Sequence, residues 1–240
     1  MRALVIPDVH LKPEMFVKAA KILDAGRADR AVCLMDIPDD WKQELNLDLY
    51  TRTFDAAIKF AKDHPDTLWC YGNHDQSYVW RFLETGYSYF AESIVNSKLI
   101  TLKRSLDSQD KIAYIHRIDN TLFLHGGLTN EFVMKYVDKD KRDDVDHVIR
   151  TINNLNEEIM WGIDSPMWFR PQSAPDPMYG SGKYIQVVGH TPVEQITREG
   201  NVISTDVFSL KRDRTPIGSR EFPVIDTQTG EVTEQIDIDV

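Results

Sequence analysis

The chain has 240 residues, 42% hydrophobic and 28% charged, which reads as a globular protein with one sizeable core rather than a disordered or fibrous one. Its formal charge of −10 sets 38 acidic against 28 basic residues, and no Lys/Arg cluster offers a grip on polyanions, so general nucleic-acid binding is not expected. No apolar run approaches the roughly 20 residues that cross a bilayer, and the apolar N-terminus is too short for a signal peptide, so the expectation is a cytoplasmic protein with no membrane partner.

Residues 1–240 read as a single α/β domain. Ala3–Ile6 is a short buried-strand run. Pro13 opens a helical stretch over Glu14–Ala25, closed by Gly26. Ala31–Met35 is a second strand, and Asp48–Asp63 has helical periodicity through Leu49, Phe54, Ile58 and Phe60. Thr67–Tyr71 is a third strand, and this βαβαβ order argues for parallel strands joined by right-handed crossovers. Residues 76–97 look helical and aromatic-rich, from Tyr78 to Phe90, and read as core or cap packing.

Lys111–Ile118 and Thr121–Leu124 read as a strand pair turning at Asp119-Asn120. Asp138–Asp146 alternates in charge sign, as a solvated helix start does. Asp143–Trp161 is a long helical pattern, and the Pro-, Gly- and Ser-rich residues 171–182 are a loop. The rest turns to strands: Tyr184–Val188, Gln195–Arg198, Val202–Asp206, Phe222–Asp226 and Glu231–Ile236. Two sheets packed face to face with helices outside would house this pattern. Cys33 and Cys70 sit in apolar stretches and read as buried, reduced thiols.

Ligand-type side chains follow five of these strands directly. They are Asp8-Val9-His10, then Asp36, then Asn73-His74-Asp75, then His125-Gly126-Gly127, then His190-Thr191. In open α/β sheets such residues converge beyond the carboxyl ends of the strands, where ligands bind. Asp, Asn and His supply the oxygen and nitrogen donors that suit Mn, Fe and Zn. In Asp8-x-His10, residues i and i+2 of an extended chain point to the same side, so both can reach one ion. Burying so many carboxylates and imidazoles without a cation is costly. Each motif alone is a weak signal; the ordered set of five is a strong one.

The set resembles the calcineurin-like metallophosphoesterase superfamily. The likeness is to its phosphoprotein-phosphatase branch, with its small bacterial and phage phosphatases and symmetrical diadenosine tetraphosphate hydrolases. It covers the chain from Asp8 to about Asp206. The resemblance implies a four-layer α-β-β-α sandwich of two mixed sheets flanked by helices. It implies two metal ions, divalent or trivalent, with Mn favoured and Fe or Zn as alternatives. Asp8, His10 and Asp36 would hold the first; Asp36, bridging, would hold the second with Asn73, His125 and His190. A hydroxide bridging such a pair, whose ions lie about 3.5–4 Å apart, attacks phosphorus without a covalent enzyme intermediate. His74 would be the general acid, paired with Asp39 three residues beyond the bridging aspartate; Asp75 is its neighbour in sequence.

Three departures stand out. Pro7 and Leu11 flank the first motif where the family usually has glycines. Asp40-Trp41 stand where the family carries Arg-Gly, and that arginine helps to hold the substrate phosphate. Arg170, in a segment similar to the family's tryptophan-x-arginine, is the candidate replacement, since a guanidinium meets phosphate oxygens bidentately. Pro192 stands where nuclease and cyclic-phosphodiesterase branches have a second histidine, which favours the phosphatase branch. His64, His116 and His147 carry no motif and read as surface or structural.

The expected function is therefore metal-dependent hydrolysis of phosphomonoesters, phosphoproteins among them. A dinucleoside polyphosphate hydrolase shares every ligand, with Trp168 or the aromatics from Tyr78 to Phe90 available to stack an adenine. A non-catalytic scaffold of the same fold is the third reading, and the complete residue set argues against it.

Overall fold

A computed structural model describes residues 1–173 and 177–238. The first sheet is built from β1 (Arg2–Ile6), β2 (Arg30–Cys33), β3 (Leu68–Cys70), β4 (Ile112–Ala113), β10 (Glu221–Asp226) and β11 (Glu231–Asp237), in the order β11-β10-β1-β2-β3-β4. Strands β1 to β4 run parallel, and β10 and β11 close one edge antiparallel. The second sheet has the order β5-β6-β7-β9-β8, from β5 (Ile115–Ile118), β6 (Thr121–Leu124), β7 (Ile185–Val188), β8 (Thr197–Glu199) and β9 (Val202–Ser204). Its centre, β6-β7-β9, is parallel, with an antiparallel strand on each side.

Alternation along β1 shows the layering. Ala3 and Val5 face a cluster that also holds Val32, Phe123, Val187 and Ile203, so this core lies between the two sheets. Leu4 and Ile6 face the opposite way, against Met15, Phe16, Tyr50 and Phe54 of α1 (Glu14–Asp24) and α2 (Leu47–Asp63). The outer face of the second sheet carries Leu122, Leu124 and Val188 against Phe132 and Val133 of α5 (Asn130–Tyr136) and Val148 and Ile152 of α6 (Val145–Asn153). These three clusters make the α-β-β-α sandwich that the sequence implies. Both Cys33 and Cys70 are free and buried, and among the described residues no helix is long and apolar enough to cross a membrane.

Several boundaries differ from the sequence reading. The run 111–118 is split: β4 and β5 belong to different sheets. The break at Tyr114 is held by Asn153, whose Oδ1 accepts from the Tyr114 and Ile115 amides at 3.2 and 2.9 Å. The helical stretch 76–97 is two helices, α3 (Asn73–Trp80) and α4 (Glu92–Ser105), because Arg81 turns left-handed at φ 58° and ends the first. The long pattern 143–161 is likewise divided into α6 and α7 (Glu157–Met160), since Asn156 caps a new helix by accepting from the Ile159 amide. Helix α5, capped by Thr129, has no counterpart in the sequence reading.

Candidate active site

Each candidate loop leaves the carboxyl end of a parallel strand, so the loops converge on one edge of the sandwich. The first two run side by side: the Val9, His10 and Leu11 amides donate to the carbonyls of Met35, Asp36 and Ile37 at 3.0, 2.8 and 3.0 Å. The Gly189 amide donates to the His125 carbonyl at 2.9 Å and ties the last two together. Four of the polar residues take left-handed backbone that only glycine adopts freely: His10 (φ 40°), Asp36 (42°), Asp39 (66°) and His190 (63°). Such strain persists where the surroundings over-determine it, and it gathers at functional sites.

The structure brings Asp8, His10, Asp36, Asn73, His125 and His190 together. Donor atoms of Asp8, His10 and Asp36 lie within 4.8 Å of one another, as do those of Asp36, His125 and His190. Asp36 belongs to both groups. Its Oδ2 lies 3.1 Å from His125 Nε2 and 4.0 Å from His10 Nε2. Asn73 Oδ1 lies 3.1 Å from His125 Nε2.

The donor set fits a pair of cations. A carbonyl can only accept, so the contacts of His10 Nδ1 with the Asp39 carbonyl and of His125 Nδ1 with the Leu34 carbonyl, both 2.9 Å, place the ring protons on Nδ1. The Nε2 lone pairs are then turned inward toward Asp36, the arrangement of metal-ligating imidazoles. Asp8 Oδ1 and His190 Nε2 are buried with no hydrogen-bond partner among the described residues. Buried polar atoms seldom go unpaired, and a cation would satisfy both.

The electrostatics agree. Burial pushes the Asp8 carboxyl well up, with Asp206 adding to the rise. Burial also opposes the charge on Asp36, but His125 and His74, when protonated, outweigh it and hold that carboxyl well below the usual range, a counter-charge that a bound cation would supply in place of the His125 proton. Burial lowers His190 strongly, and His125 adds to the effect. The protein thus concentrates groups that charge poorly without a counter-charge.

His74 stands at the rim, its ring edge-on to His10 with centroids 5.1 Å apart. Its Nδ1 lies 3.0 Å from Asp39 Oδ2. Burial lowers its basicity, but the Asp36 charge and the Asp39 hydrogen bond overcome that and raise it to about 9. Asp75 points elsewhere. It accepts from the amides of Asp36, Ile37 and Gly72 at 2.8, 3.1 and 3.2 Å, and so fixes the loop after β2.

His10, Asp36, Asp39, Asn73, His74 and His190 line a cavity of about 500 Å³. Arg170 lines it, with Nη1 donating to the His190 carbonyl at 2.9 Å and to Thr191 Oγ1 at 3.3 Å. Trp41, Leu210 and Ile217 give the wall an apolar part. Neither Trp168 nor any aromatic from Tyr78 to Phe90 lines it; Trp80 and Phe82 pack on Trp161 instead. Asp40, at the position of the family's arginine, faces buried Lys12 at 3.6 Å. Sequence reasoning missed the bracing role of Asp75 and missed Asp206, buried in the cavity wall with Oδ2 accepting from Ser209 Oγ at 2.8 Å. The one signal for Asp206 is its place at the end of the strand run Val202–Asp206.

A structure of a cold-active protein-tyrosine phosphatase from a psychrophilic Shewanella species superposes with a TM-score of 0.57 at 18% identity, covering 95% of this chain and 76% of that one. A second structure of a cold-active protein tyrosine phosphatase gives 0.55 at 18% identity, with 95% and 76% covered. At such identity the likeness is one of fold. No curated protein matches the chain. The calcineurin-like phosphoesterase family matches residues 1–215. With its strand-end donors and sandwich architecture, the chain belongs to the calcineurin-like phosphoesterases, a family of hydrolases.

Proposed function

We propose that the protein is a metal-dependent phosphatase that cleaves phosphomonoesters, phosphoproteins among them. The observation that carries this reading is the position of Asp36, whose carboxylate is shared by two donor groups within reach of the cavity. Asp8, His10 and Asp36 would hold one cation, and Asp36, Asn73, His125 and His190 the other. Such a pair, with Mn²⁺ suited to the mixed oxygen and nitrogen donors, supplies charge that makes water nucleophilic near neutral pH and neutralises the phosphoryl group.

The chain's own groups do the rest. Arg170, anchored by His190 and Thr191, presents its guanidinium to the phosphate. With Nδ1 held by Asp39, the Nε2 of His74 is the atom left to face the ester. A water oxygen, having given up one proton to solvent, forms the new bond to phosphorus, the ester P–O bond breaks, the His74 proton passes to the leaving oxygen, and His74 takes a proton back from solvent. Asp39 holds the imidazole in that orientation and favours its protonated form. The apolar wall at Trp41, Leu210 and Ile217 suits an aryl or alkyl group beyond the phosphate.

The test is p-nitrophenyl phosphate hydrolysis with Mn²⁺, before and after chelation, in the parent chain and in Asp36→Asn and His74→Asn. Activity restored by metal and lost in both variants is the expected result. No metal-restored activity would sink the reading. ADP release from diadenosine tetraphosphate far faster than monoester cleavage would shift it to a dinucleoside polyphosphate hydrolase.

A further inference from the structure

The carboxylate that holds His74 is itself held from behind. Asp39 Oδ1 accepts from the hydroxyl of Tyr50 at 2.7 Å and from that of Tyr78 at 2.5 Å, while Oδ2 faces His74 Nδ1 at 3.0 Å. Both tyrosines are fully buried. Tyr50 comes from the start of α2, and Tyr78 from α3, one turn beyond His74 on the same helix.

The hydroxyl protons have little freedom. The Ser88 amide donates to the Tyr78 hydroxyl at 2.8 Å, so the hydroxyl's own proton is committed to Asp39. The Tyr78 ring is fixed by stacking on Tyr87, with centroids 4.3 Å and planes 18° apart. Burial raises the pKa of both phenols far above their ordinary values, and the Asp39 charge adds to this, so both remain proton donors. The rings belong to the apolar cluster with Phe16 and Phe54, where phenylalanine would pack as well. The hydroxyls therefore serve Asp39 rather than the core.

We propose that Tyr50 and Tyr78 are positioning residues for proton transfer by His74. By saturating Oδ1 they turn Oδ2 of Asp39 toward Nδ1 and keep Nε2 aimed at the leaving oxygen. Without one of them, Oδ1 is a buried anionic oxygen short of a donor, and the carboxylate rotates or takes the imidazole proton on a different oxygen. The inference rests on the reading of His74 as the general acid.

Leaving-group dependence tests it. An acid matters most when the leaving oxygen is strongly basic and least for p-nitrophenolate. Tyr50→Phe, Tyr78→Phe and His74→Asn, metal-loaded, are assayed on p-nitrophenyl phosphate, phenyl phosphate and an alkyl phosphate. Loss of one hydrogen bond to a charged group corresponds to roughly tenfold or more. Each Tyr→Phe variant is expected to lower kcat about tenfold on the alkyl phosphate and about threefold or less on the nitrophenyl ester, with KM little changed. In the same samples loaded with Zn²⁺, the downfield proton resonance of His74 Nδ1 is expected to shift or broaden.

Each hydroxyl is removed separately, so a variant that fails to fold leaves the other as the test. Equal losses on all three esters, or none, with the resonance unmoved, would overturn the inference. If His74→Asn shows the leaving-group dependence and the tyrosine variants do not, the inference falls alone. If His74→Asn also lacks it, the acid assignment and the inference fall together.

Discussion

A side chain on Gly72 would place its first carbon 2.0 Å from Oδ1 of Asp36, well inside contact distance. Gly189 stands in the same relation to Asp8, again at 2.0 Å. The backbone thus passes where these carboxylates must lie, and glycine is needed for closeness rather than for a special φ. Gly72→Ala should displace Asp36, and Gly189→Ala should displace Asp8. We expect metal content by elemental analysis to fall below one ion per chain in either variant. Phosphatase activity should drop at least about 100-fold, a shift of about 2.7 kcal/mol in the barrier. A fully metallated Gly72→Ala protein with ordinary activity would contradict the assigned geometry.

Metal removal should also be visible in stability. Asp8 Oδ1 and His190 Nε2 are buried with no hydrogen-bond partner among the described residues, and a bound cation would satisfy both. A ligand at 100 times its Kd stabilises the native state by about 2.7 kcal/mol. For a chain of this size that corresponds to a Tm change of about 5–10 °C. Chelation should lower Tm by this amount in the parent chain and by much less in Asp36→Asn, which lacks the shared ligand. Equal shifts in the two proteins would place the stabilising ion elsewhere.

Asp75 and Asp39 should separate cleanly. The Asp75 carboxylate accepts from three backbone amides, whereas the His74 ring pairs with Asp39. Asp75→Ala leaves those amides without an acceptor, at a cost of about 3 kcal/mol or more, and should lower Tm and metal content together. What activity remains should keep the parent dependence on leaving group. Asp39→Asn should do the reverse: nearly unchanged metal content, with the largest loss on esters of basic alcohols. A leaving-group effect in Asp75→Ala would mean that the wrong carboxylate has been assigned to the imidazole.

Arg170 tests whether a guanidinium is required. It is anchored through Nη1 to the His190 carbonyl and Thr191, which leaves the rest of the fork for the substrate. Lysine keeps the charge but cannot make both contacts. Arg170→Lys should raise KM for phosphomonoesters about tenfold while kcat changes less, read from steady-state kinetics. An unaltered KM would remove Arg170 from the phosphate site.

The parts of this protein that could be read in its sequence share a physical cause. Strands β1, β2 and β3 are buried on both faces, so they appear as unbroken apolar runs, and each donor motif begins where the run stops. The parts that could not be read depend on distant partners. Tyr114 ends one strand and begins another because Asn153, 39 residues away, takes its amide. Tyr50 and Tyr78 look like any aromatic of an amphipathic helix, and only the fold shows that their hydroxyls meet on Asp39. Asp75 is adjacent to His74 in the chain yet braces a different loop, so adjacency was a poor guide to partnership.

His116 offers a pH test away from the site. It lies buried in β5, where Nε2–H donates to the Trp69 carbonyl at 3.0 Å. Burial lowers its pKa to about 4, from an ordinary value of 6.5, and hydrogen bonding only partly offsets this. The unfolded chain therefore binds this proton more readily than the native one between those values. Its contribution to stability is complete above pH 6.5 and is lost as pH falls toward about 4, reaching about 3 kcal/mol. Other buried carboxylates and imidazoles titrate nearby, so the comparison is made between parent and His116→Gln, both metal-free, by urea unfolding at pH 7.5 and 4.5. Glutamine can keep a donor for the Trp69 carbonyl but does not take up a proton. The variant should lose about 2–3 kcal/mol less than the parent on acidification, and identical losses would show that His116 does not titrate in this window.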